Sequence, residues 1–271
     1  MVTAKIVTLT TDFGAKDPYV AEMKAAILRI SPDAVIVDIT NEIEKFNIPM
    51  GAFMLASAAP YFPDGSVHVA VVDPGVGTRR RSIVIQTPHS FFVGPDNGLL
   101  ILAAEKQGIL RTHELSNPRY MPTQISHTFH GRDIFAPAAA HLTRGVTLET
   151  FGPEIHDLVR PKFSKLEKKN DMLLGQVLHV DDFGNIITNI DEGVISQLCL
   201  TAMVSIELSS KRLKLRFCKA YGEVEPHEPL ALIGSHGYLE ISVNQGNASN
   251  KFKAKAGDKI GVLFNENAVY E

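Results

Sequence analysis

Residues 71–81 read Val71-Val72-Asp73-Pro74-Gly75-Val76-Gly77-Thr78-Arg79-Arg80-Arg81, an apolar run that ends on a carboxylate and turns through two glycines into three arginines. The residues from 66 to 72 predict a buried strand, because short apolar, β-branched runs suit the middle of a sheet. Asp73 would then lie at the carboxyl end of that strand, the edge at which open α/β sheets bind ligands. The pattern fits a ligand site and a tight turn with solvated charges equally well at this point.

The residues around this stretch predict strands and helices in alternation. Strands are predicted at 5–10, 34–39, 66–72, 82–86 and 91–93, and helices at 19–30, 48–59, 99–106 and 134–142. Asp133 is predicted to cap the last of these helices. The strand–helix–strand order predicts an α/β domain with a mainly parallel central sheet covered by helices.

The composition changes after about residue 158 to charge and proline, which predicts a solvated linker. Apolar segments of strand length follow at 173–180, 185–189, 203–208, 213–217, 230–233, 238–243 and 259–264. Helical periodicity is nearly absent there, so these segments predict a small all-β, barrel-like domain. We therefore expect an α/β domain at 1–162, a linker at 163–171 and a β-barrel-like domain at 172–271.

Composition and charge argue against several classes of protein. The 271 residues are 45% hydrophobic and carry a formal net charge of −3, without the basic excess that nucleic-acid binding requires. No run of apolar residues is long enough to span a membrane, and no basic segment leads into an apolar one at the amino terminus. The sequence thus predicts a cytoplasmic protein without a membrane or nucleic-acid partner. The two cysteines, Cys199 and Cys218, are predicted to be free thiols.

Polar clusters elsewhere in the chain are candidate sites. His130 lies in a loop beside a glycine and titrates near neutrality, so it is a candidate catalytic residue. In the β domain, the turn at 181–185 combines carboxylates with an aromatic ring, which suits an ammonium group and a flat ring. The turn at 234–240 has the glycine that tight hairpins need. Neither a dinucleotide fingerprint nor a phosphate loop is present.

Six of these motifs are Thr11-Asp12-Phe13-Gly14, Asp73-Pro74-Gly75-Val76-Gly77-Thr78, Gly94-Pro95-Asp96-Asn97-Gly98-Leu99, Phe129-His130-Gly131-Arg132-Asp133, Asp181-Asp182-Phe183-Gly184-Asn185 and Ser235-His236-Gly237-Tyr238-Leu239. In this order they resemble the SAM hydroxide adenosyltransferases, or S-adenosylmethionine (SAM) hydrolases, which are relatives of fluorinases and chlorinases. The resemblance implies a seven-stranded α/β domain, a β-barrel-like domain, and a homotrimer with active sites between subunits. It also implies attack of water or hydroxide on ribose C5′ of SAM, which yields adenosine and methionine with SAM as substrate and no cofactor or metal.

The resemblance also implies roles for individual residues. The catalytic set would be Asp73, Arg80 and His130, where Arg80 is chosen because the family's arginine follows the aspartate by seven residues. Asp12 would bind the ribose hydroxyls with Phe46 packed nearby, Asp181 and Ser235 would bind the methionine ammonium and carboxylate, and Phe183, Asn185 and Asn244 would bind adenine. Asp73 and His130 would orient the water, while Arg80 would hold nascent hydroxide and keep Asp73 ionised.

Three other functions remain open. A metal-dependent hydrolase would use Asp12, Asp73, His130 and Asp133 as ligands for Mn or Mg. A sensor would bind SAM or adenosine without turnover. Halogenation is the least favoured, because halogenating members of the family carry Tyr-Ser where this chain has His130 and Gly131, and an anionic Asp73 would repel a halide.

Overall fold

The computed structural model describes residues 5–161, 163, 165–198, 202–208 and 211–263. The chain divides into two compact units, the first ending at residue 161 and the second beginning at residue 162. Within the described ranges, no helix combines the length and the hydrophobicity needed to cross a bilayer.

The first unit is a sheet covered by helices on both faces. Its strands are β1 (Ile6–Thr11), β2 (Val35–Thr40), β3 (Ser66–Val71), β4 (Ser82–Gln86), β5 (Ser90–Pro95) and β6 (Arg111–Glu114). Its helices are α1 (Tyr19–Ile30), α2 (Ile48–Ala58), α3 (Ile101–Gln107) and α4 (Ala136–Thr143), with a π-helical turn at Gly131–Phe135 and 3₁₀ turns at Ala59–Tyr61, Pro118–Tyr120 and Leu148–Thr150. The strand order β2-β1-β3-β5-β4-β6, parallel from β2 to β5, confirms the predicted α/β fold.

Two hydrophobic cores hold this sheet, one on each face. Helices α1 and α4 cover one face and α2 and α3 the other. Every residue of β3 is buried, as its apolar run predicts. Because β1 and β3 are parallel and pair Thr11 with Val71, the residues that follow them, Asp12 and Asp73, emerge at the same edge of the sheet.

The sheet differs from the expectation in its number of strands. The described residues of the first unit form six strands rather than seven, and the segment after Gly152 contributes a single β-bridge between Glu154 and His113 of β6. The neighbouring Pro153 has no N–H group and cannot extend the ladder. Two backbone hydrogen bonds, each 2.9 Å long, nevertheless hold this segment beside β6.

The second unit is a closed barrel, which confirms the predicted β domain. Its strands are β7 (Glu167–Lys169), β8 (Met172–Val180), β9 (Ile186–Asp191), β10 (Met203–Leu208), β11 (Lys211–Phe217), β12 (Pro229–Ile233), β13 (Tyr238–Val243) and β14 (Lys259–Leu263). Pairing of β14 with β8 closes a ring of seven strands, to which β7 is added at the edge of β8. Strand β7 thus lies inside the stretch predicted to be a linker.

Two short helices and a 3₁₀ turn complete the second unit. They are α5 (Glu192–Gln197), α6 (Ala248–Phe252) and the turn Tyr221–Glu223. The sequence did not predict these helices, because five or six residues are too few to show helical periodicity. Their amino-terminal caps, Asp191 and Asn247, are nevertheless of the residue types expected there. Cys218 is a buried free thiol, whereas Cys199 and Phe264 lie outside the described residues.

Candidate active site

Asp73, Arg80 and His130 meet at the carboxyl edge of the first unit's sheet. Arg80 donates from Nε to Asp73 Oδ1 (3.2 Å) and from Nη2 to Asp73 Oδ2 (2.6 Å). The same Nη2 group lies 2.9 Å from His130 Nδ1. The Arg80 and Asp73 side chains are only 7% and 5% exposed, so this is a buried, bidentate ion pair.

A tight turn explains why the arginine seven residues after Asp73 returns to it. The Val76 N–H donates to the Asp73 carbonyl, and both the N–H and the hydroxyl of Thr78 donate to the Gly75 carbonyl. The Arg80 N–H then donates to Thr78 Oγ1. These bonds reverse the chain between β3 and β4 and bring the Arg80 side chain back over the carboxylate.

Every N–H group of the Arg80 side chain has a protein acceptor. Beyond the three contacts with Asp73 and His130, Nη1 donates to the Arg81 carbonyl (3.0 Å) and to Ser82 Oγ (2.8 Å). A guanidinium has five N–H donors, and all five are accounted for. Its carbon also lies 5.5 Å from the centre of the Phe135 ring. Arg80 is therefore held in one position and has no donor left for a ligand.

The contact with Arg80 determines the tautomer of His130. Arginine only donates hydrogen bonds, so His130 Nδ1 must accept, and the neutral ring then carries its proton on Nε2. Burial and, after it, the nearby Arg80 charge hold the pKa of His130 below its ordinary value of 6.5. At neutral pH, His130 is therefore a neutral imidazole that offers an Nε2–H donor.

Asp12 and Phe46 line the same cleft as Asp73 and His130, and the cleft has a volume of about 360 Å³. The Phe46 N–H donates to Asp12 Oδ2 (3.0 Å), and the Lys45 ammonium donates to the Asp12 carbonyl. Phe46 has a φ of +65° and is 68% exposed, so its ring is open to solvent or to a ligand. The rings of Phe13, Tyr19 and Phe129 pack 5.2–5.7 Å apart on another wall. A larger cavity of about 520 Å³ beside α1 and α4 is lined by Asp133 but by none of the residues predicted to bind or hydrolyse SAM.

The other predicted site residues lie on loops and strand ends of the second unit. Asp181 accepts from the Asn185 backbone N–H (2.8 Å) and from its Nδ2 (2.9 Å), which orders this turn. Phe183 on the same turn is 78% exposed. Asn244 is buried and donates from Nδ2 to the Val224 carbonyl (2.7 Å), whereas Ser235 is exposed on its turn.

Sequence reasoning missed a buried carboxylate in this unit. Glu240 on β13 is 6% exposed, and its Oε1 accepts from Tyr221 Oη and from Ser242 Oγ, both at 2.7 Å. Burial and this carboxylate raise the pKa of Tyr221 well above its usual range. The signal was present, since Glu240 is the one acid in a strand that is mainly apolar, and buried acids are rare without partners.

The structure corrects the predicted role of Asp133. Asp133 does not cap the helix, because it lies within the π-helical turn and its own N–H donates to the Phe129 carbonyl. Its carboxylate instead accepts from the Ser126 N–H (2.8 Å) and from Arg132 Nε (2.7 Å). Among the described residues, no three His, Cys, Asp or Glu side chains converge as a possible metal site.

Comparison with protein-family models identifies both units. Residues 7–152 match the SAM hydroxide adenosyltransferase N-terminal domain, and residues 175–261 match the C-terminal domain of the same family. The chain belongs to the SAM hydroxide adenosyltransferase family. A relative from Methanocaldococcus jannaschii, named (R)-S-adenosyl-L-methionine hydrolase, is 42% identical over 268 residues, 96% of each chain. A crystal structure of a conserved Thermotoga maritima protein is 41% identical with a TM-score of 0.87, and the match covers 95% of this chain and 99% of that one.

The family also has halogenating relatives, which are more distant. The fluorinase of Nocardia brasiliensis is 27% identical over 294 residues, covering 95% of this chain and 96% of its own. In this chain, the charge of Arg80 is already compensated by Asp73. The cleft therefore lacks an uncompensated cation at this position to attract a halide.

Gly77 lies where the loop after Asp73 contacts the loop before His130. Gly77 has a φ of +74°, and a Cβ atom there would lie 2.2 Å from the His127 carbonyl oxygen, in the loop that leads to His130. We expect Gly77→Ala to lower the free energy of unfolding by about 2 kcal/mol or more, from backbone strain and this clash. Urea unfolding measures the change. Gly75→Ala is the matched control, since its Cβ would meet nothing closer than 3.6 Å; equal destabilisation by both variants would contradict the close contact.

Proposed function

We propose that this protein hydrolyses SAM by attack of water on ribose C5′, releasing adenosine and methionine. The observation that carries the proposal is the buried Asp73–Arg80 pair bonded to a neutral His130 at the wall of a cleft. Family membership and relatives named (R)-S-adenosyl-L-methionine hydrolase support it.

The chemistry requires little more than a well-placed water molecule. A sulfonium is an excellent leaving group, and methionine departs as a neutral thioether without taking up a proton. The site therefore needs no general acid and must chiefly hold the nucleophile in line with the C5′–S bond. It must also remove a proton from the water as the C–O bond forms.

The tautomer of His130 divides these tasks between the side chains. Asp73 is an ionised acceptor and would receive the proton of the attacking water. His130 would donate from Nε2–H to the water oxygen and orient its lone pair toward C5′. Arg80 has no N–H left for hydroxide, so we assign it a positioning role, in contrast to the role inferred from sequence.

The substrate-binding roles implied by the family complete the proposal. Asp12 and Phe46 border the cleft and would contact the ribose. In the second domain, Asp181 and Ser235 would bind the methionine ammonium and carboxylate. Adenine would be bound by Phe183, Asn185 and Asn244. We also propose a homotrimer with the active sites between subunits, which sedimentation velocity measures directly.

The names of the relatives suggest the stereochemistry of the substrate. The sulfonium sulfur of SAM is a stereocentre, and the relatives are named for the (R) form of S-adenosyl-L-methionine. We propose that the (R) epimer is the preferred substrate of this protein. Both epimers would give the same products, because cleavage of the C5′–S bond removes the stereocentre.

Chromatography of incubations with each SAM epimer, in chloride buffer with and without EDTA, tests the proposal. We expect adenosine and methionine, faster from the (R) epimer and unaffected by EDTA. Loss of activity in EDTA that Mn restores would instead support a metal-dependent hydrolase. Retention of SAM without adenosine formation would support a sensor, and 5′-chloro-5′-deoxyadenosine at a comparable rate would support a halogenase.

The state of His130 predicts the acid limb of the pH profile. The neutral ring accepts from Arg80 and protonation would break that bond, so activity requires unprotonated His130. Because the pKa of His130 is lowered, the neutral ring persists below the ordinary titration range. We expect kcat/KM for SAM to fall on the acid side with a midpoint below pH 6.5. A midpoint above that value, lost in His130→Asn, would contradict the assigned state.

A further inference from the structure

The motif Gly94-Pro95-Asp96-Asn97-Gly98 begins with the last two residues of β5 and has no part in the site described above. In the sheet, β5 lies between β3 and β4. Strand β3 leads into Asp73 and β4 is preceded by Arg80, so the two members of the buried ion pair come from strands that are not neighbours. The residues at the carboxyl end of β5 lie between them and can contact the backbone on both sides.

Asn97 contacts the side that carries Asp73. Its Nδ2 donates to the carbonyl of Val72 (2.9 Å), the residue directly before Asp73. Its Oδ1 accepts from the Leu99 N–H (3.1 Å), which fixes the orientation of the amide and directs the NH₂ group at Val72. Val72 itself follows the last residue of β3, so this bond fixes the backbone where the catalytic loop begins.

Asp96 contacts the side that carries Arg80. Its Oδ2 accepts from Arg81 Nε (3.0 Å) and Nη2 (2.6 Å), and its Oδ1 accepts from the Val159 N–H (3.0 Å). The Asp96 N–H also donates to the Arg81 carbonyl (3.0 Å). That same carbonyl accepts from Arg80 Nη1. The Asp96 side chain is 3% exposed, so water competes little for these bonds.

The geometry points to Asp96 and Asn97 as positioning residues that set the distance between Asp73 and Arg80 from the intervening strand. Asn97 holds the backbone before Asp73. Asp96 holds Arg81 through its carboxylate and through its backbone N–H, which bonds the carbonyl on which Arg80 rests. The role in turnover rests on the proposed function, whereas the effect on the ion pair can be measured without substrate. Both residues act through the pair and would leave substrate binding unchanged.

Asp96→Asn and Asn97→Asp test this inference, with Asp157→Ala as the matched control. Asp157 also pairs with Arg81 (2.6 Å), but its side chain is 82% exposed and lies on the outer side of that arginine. We expect each of the first two variants to lower kcat for SAM hydrolysis about tenfold to a hundredfold with KM nearly unchanged, because small misplacements of reacting groups are costly. Asp157→Ala should stay within about twofold of wild type.

Activity of Asn97→Asp should recover as the pH is lowered, which a general loss of structure would not produce. Its carboxylate would repel the Val72 carbonyl, but the protonated acid can donate to it as the amide does. The ratio of variant to wild-type kcat should therefore rise as the pH is lowered within the range where wild type is fully active. A ratio that does not change with pH would contradict the role of the Asn97 donor.

A measurement without substrate separates this inference from the proposed function. The ¹⁵N chemical shift of His130 Nδ1 reports its hydrogen bond from Arg80. We expect it to move in Asp96→Asn and Asn97→Asp but not in Asp157→Ala, in protein shown to be folded by its thermal transition. Unchanged shifts together with kcat within twofold of wild type would overturn the inference. If wild type forms no adenosine, the proposed function fails and the ¹⁵N shifts alone decide the positioning role.

Discussion

Asp73→Ala lowers kcat for adenosine formation by about 10² to 10⁴-fold, while SAM still binds within a few-fold of the wild-type affinity. Asp73 is the carboxylate that would take the proton of the attacking water, and a positioned base of this kind contributes about 10² to 10⁴-fold. The assigned contacts of SAM with Asp12 and with the second domain do not depend on it. The effect should therefore fall on the chemical step rather than on binding.

Single-turnover rates and calorimetric binding of SAM separate these two effects. Loss of Asp73 leaves Arg80 buried without its bidentate partner, which costs about 3–5 kcal/mol of stability in comparable pairs. The variant must therefore be assayed below its own thermal transition. Asp73→Asn serves as a second variant that keeps the shape and one acceptor oxygen. Turnover within tenfold of wild type in either folded variant would remove Asp73 from the catalytic set.

Arg80→Lys lowers kcat about a hundredfold although the positive charge is kept. Arg80 uses five N–H groups to bind Asp73, His130, the Arg81 carbonyl and Ser82 at once. A lysine ammonium has three donors at one point and cannot reproduce the planar, bidentate contact. Asp73 and His130 would then lose their fixed orientation while the charge of the site stays the same.

Arg79→Lys is the matched control, because Arg79 is adjacent in sequence but exposed. We expect it to leave kcat within about twofold of wild type, as surface substitutions usually do. The His130 titration supplies an independent measurement, since Arg80 contributes to the lowered pKa of that ring. Equal loss of activity in both lysine variants would show that the site responds to the local charge rather than to the geometry of Arg80.

The sequence was sufficient to predict secondary structure wherever the apolar pattern is long or regular. The buried run of β3 and the alternating segments of the barrel predicted their strands, because burial on one or both faces leaves a clear apolar pattern. It was insufficient for α5 and α6, which are too short to be periodic. Among the described residues of the first unit, the segment beside β6 forms only a bridge, and the effect of Pro153 on that ladder can be recognised only once its partner strand is known.

The residues of the candidate site were predicted from acids at strand ends and from the family resemblance. The hydrogen bonds among these residues were not predicted. The sequence cannot distinguish three consecutive arginines, Arg79, Arg80 and Arg81, by residue type. Their surroundings differ only through the turn after Asp73 and the pairing of Arg81 with Asp96. The tautomer of His130 likewise depends on a donor fifty residues away. Such contacts arise from sheet order, and sequence spacing does not encode sheet order.

Turnover of SAM in H₂¹⁸O tests the central claim most directly, because it shows which carbon the water attacks. If water attacks ribose C5′, mass spectrometry will find the heavy oxygen in the 5′ hydroxyl of adenosine and none in methionine. Labelled homoserine together with 5′-methylthioadenosine would show attack on the methionine side chain. That result, or labelled S-ribosylmethionine with free adenine, would contradict the assignment of Asp73 and His130 to water at C5′.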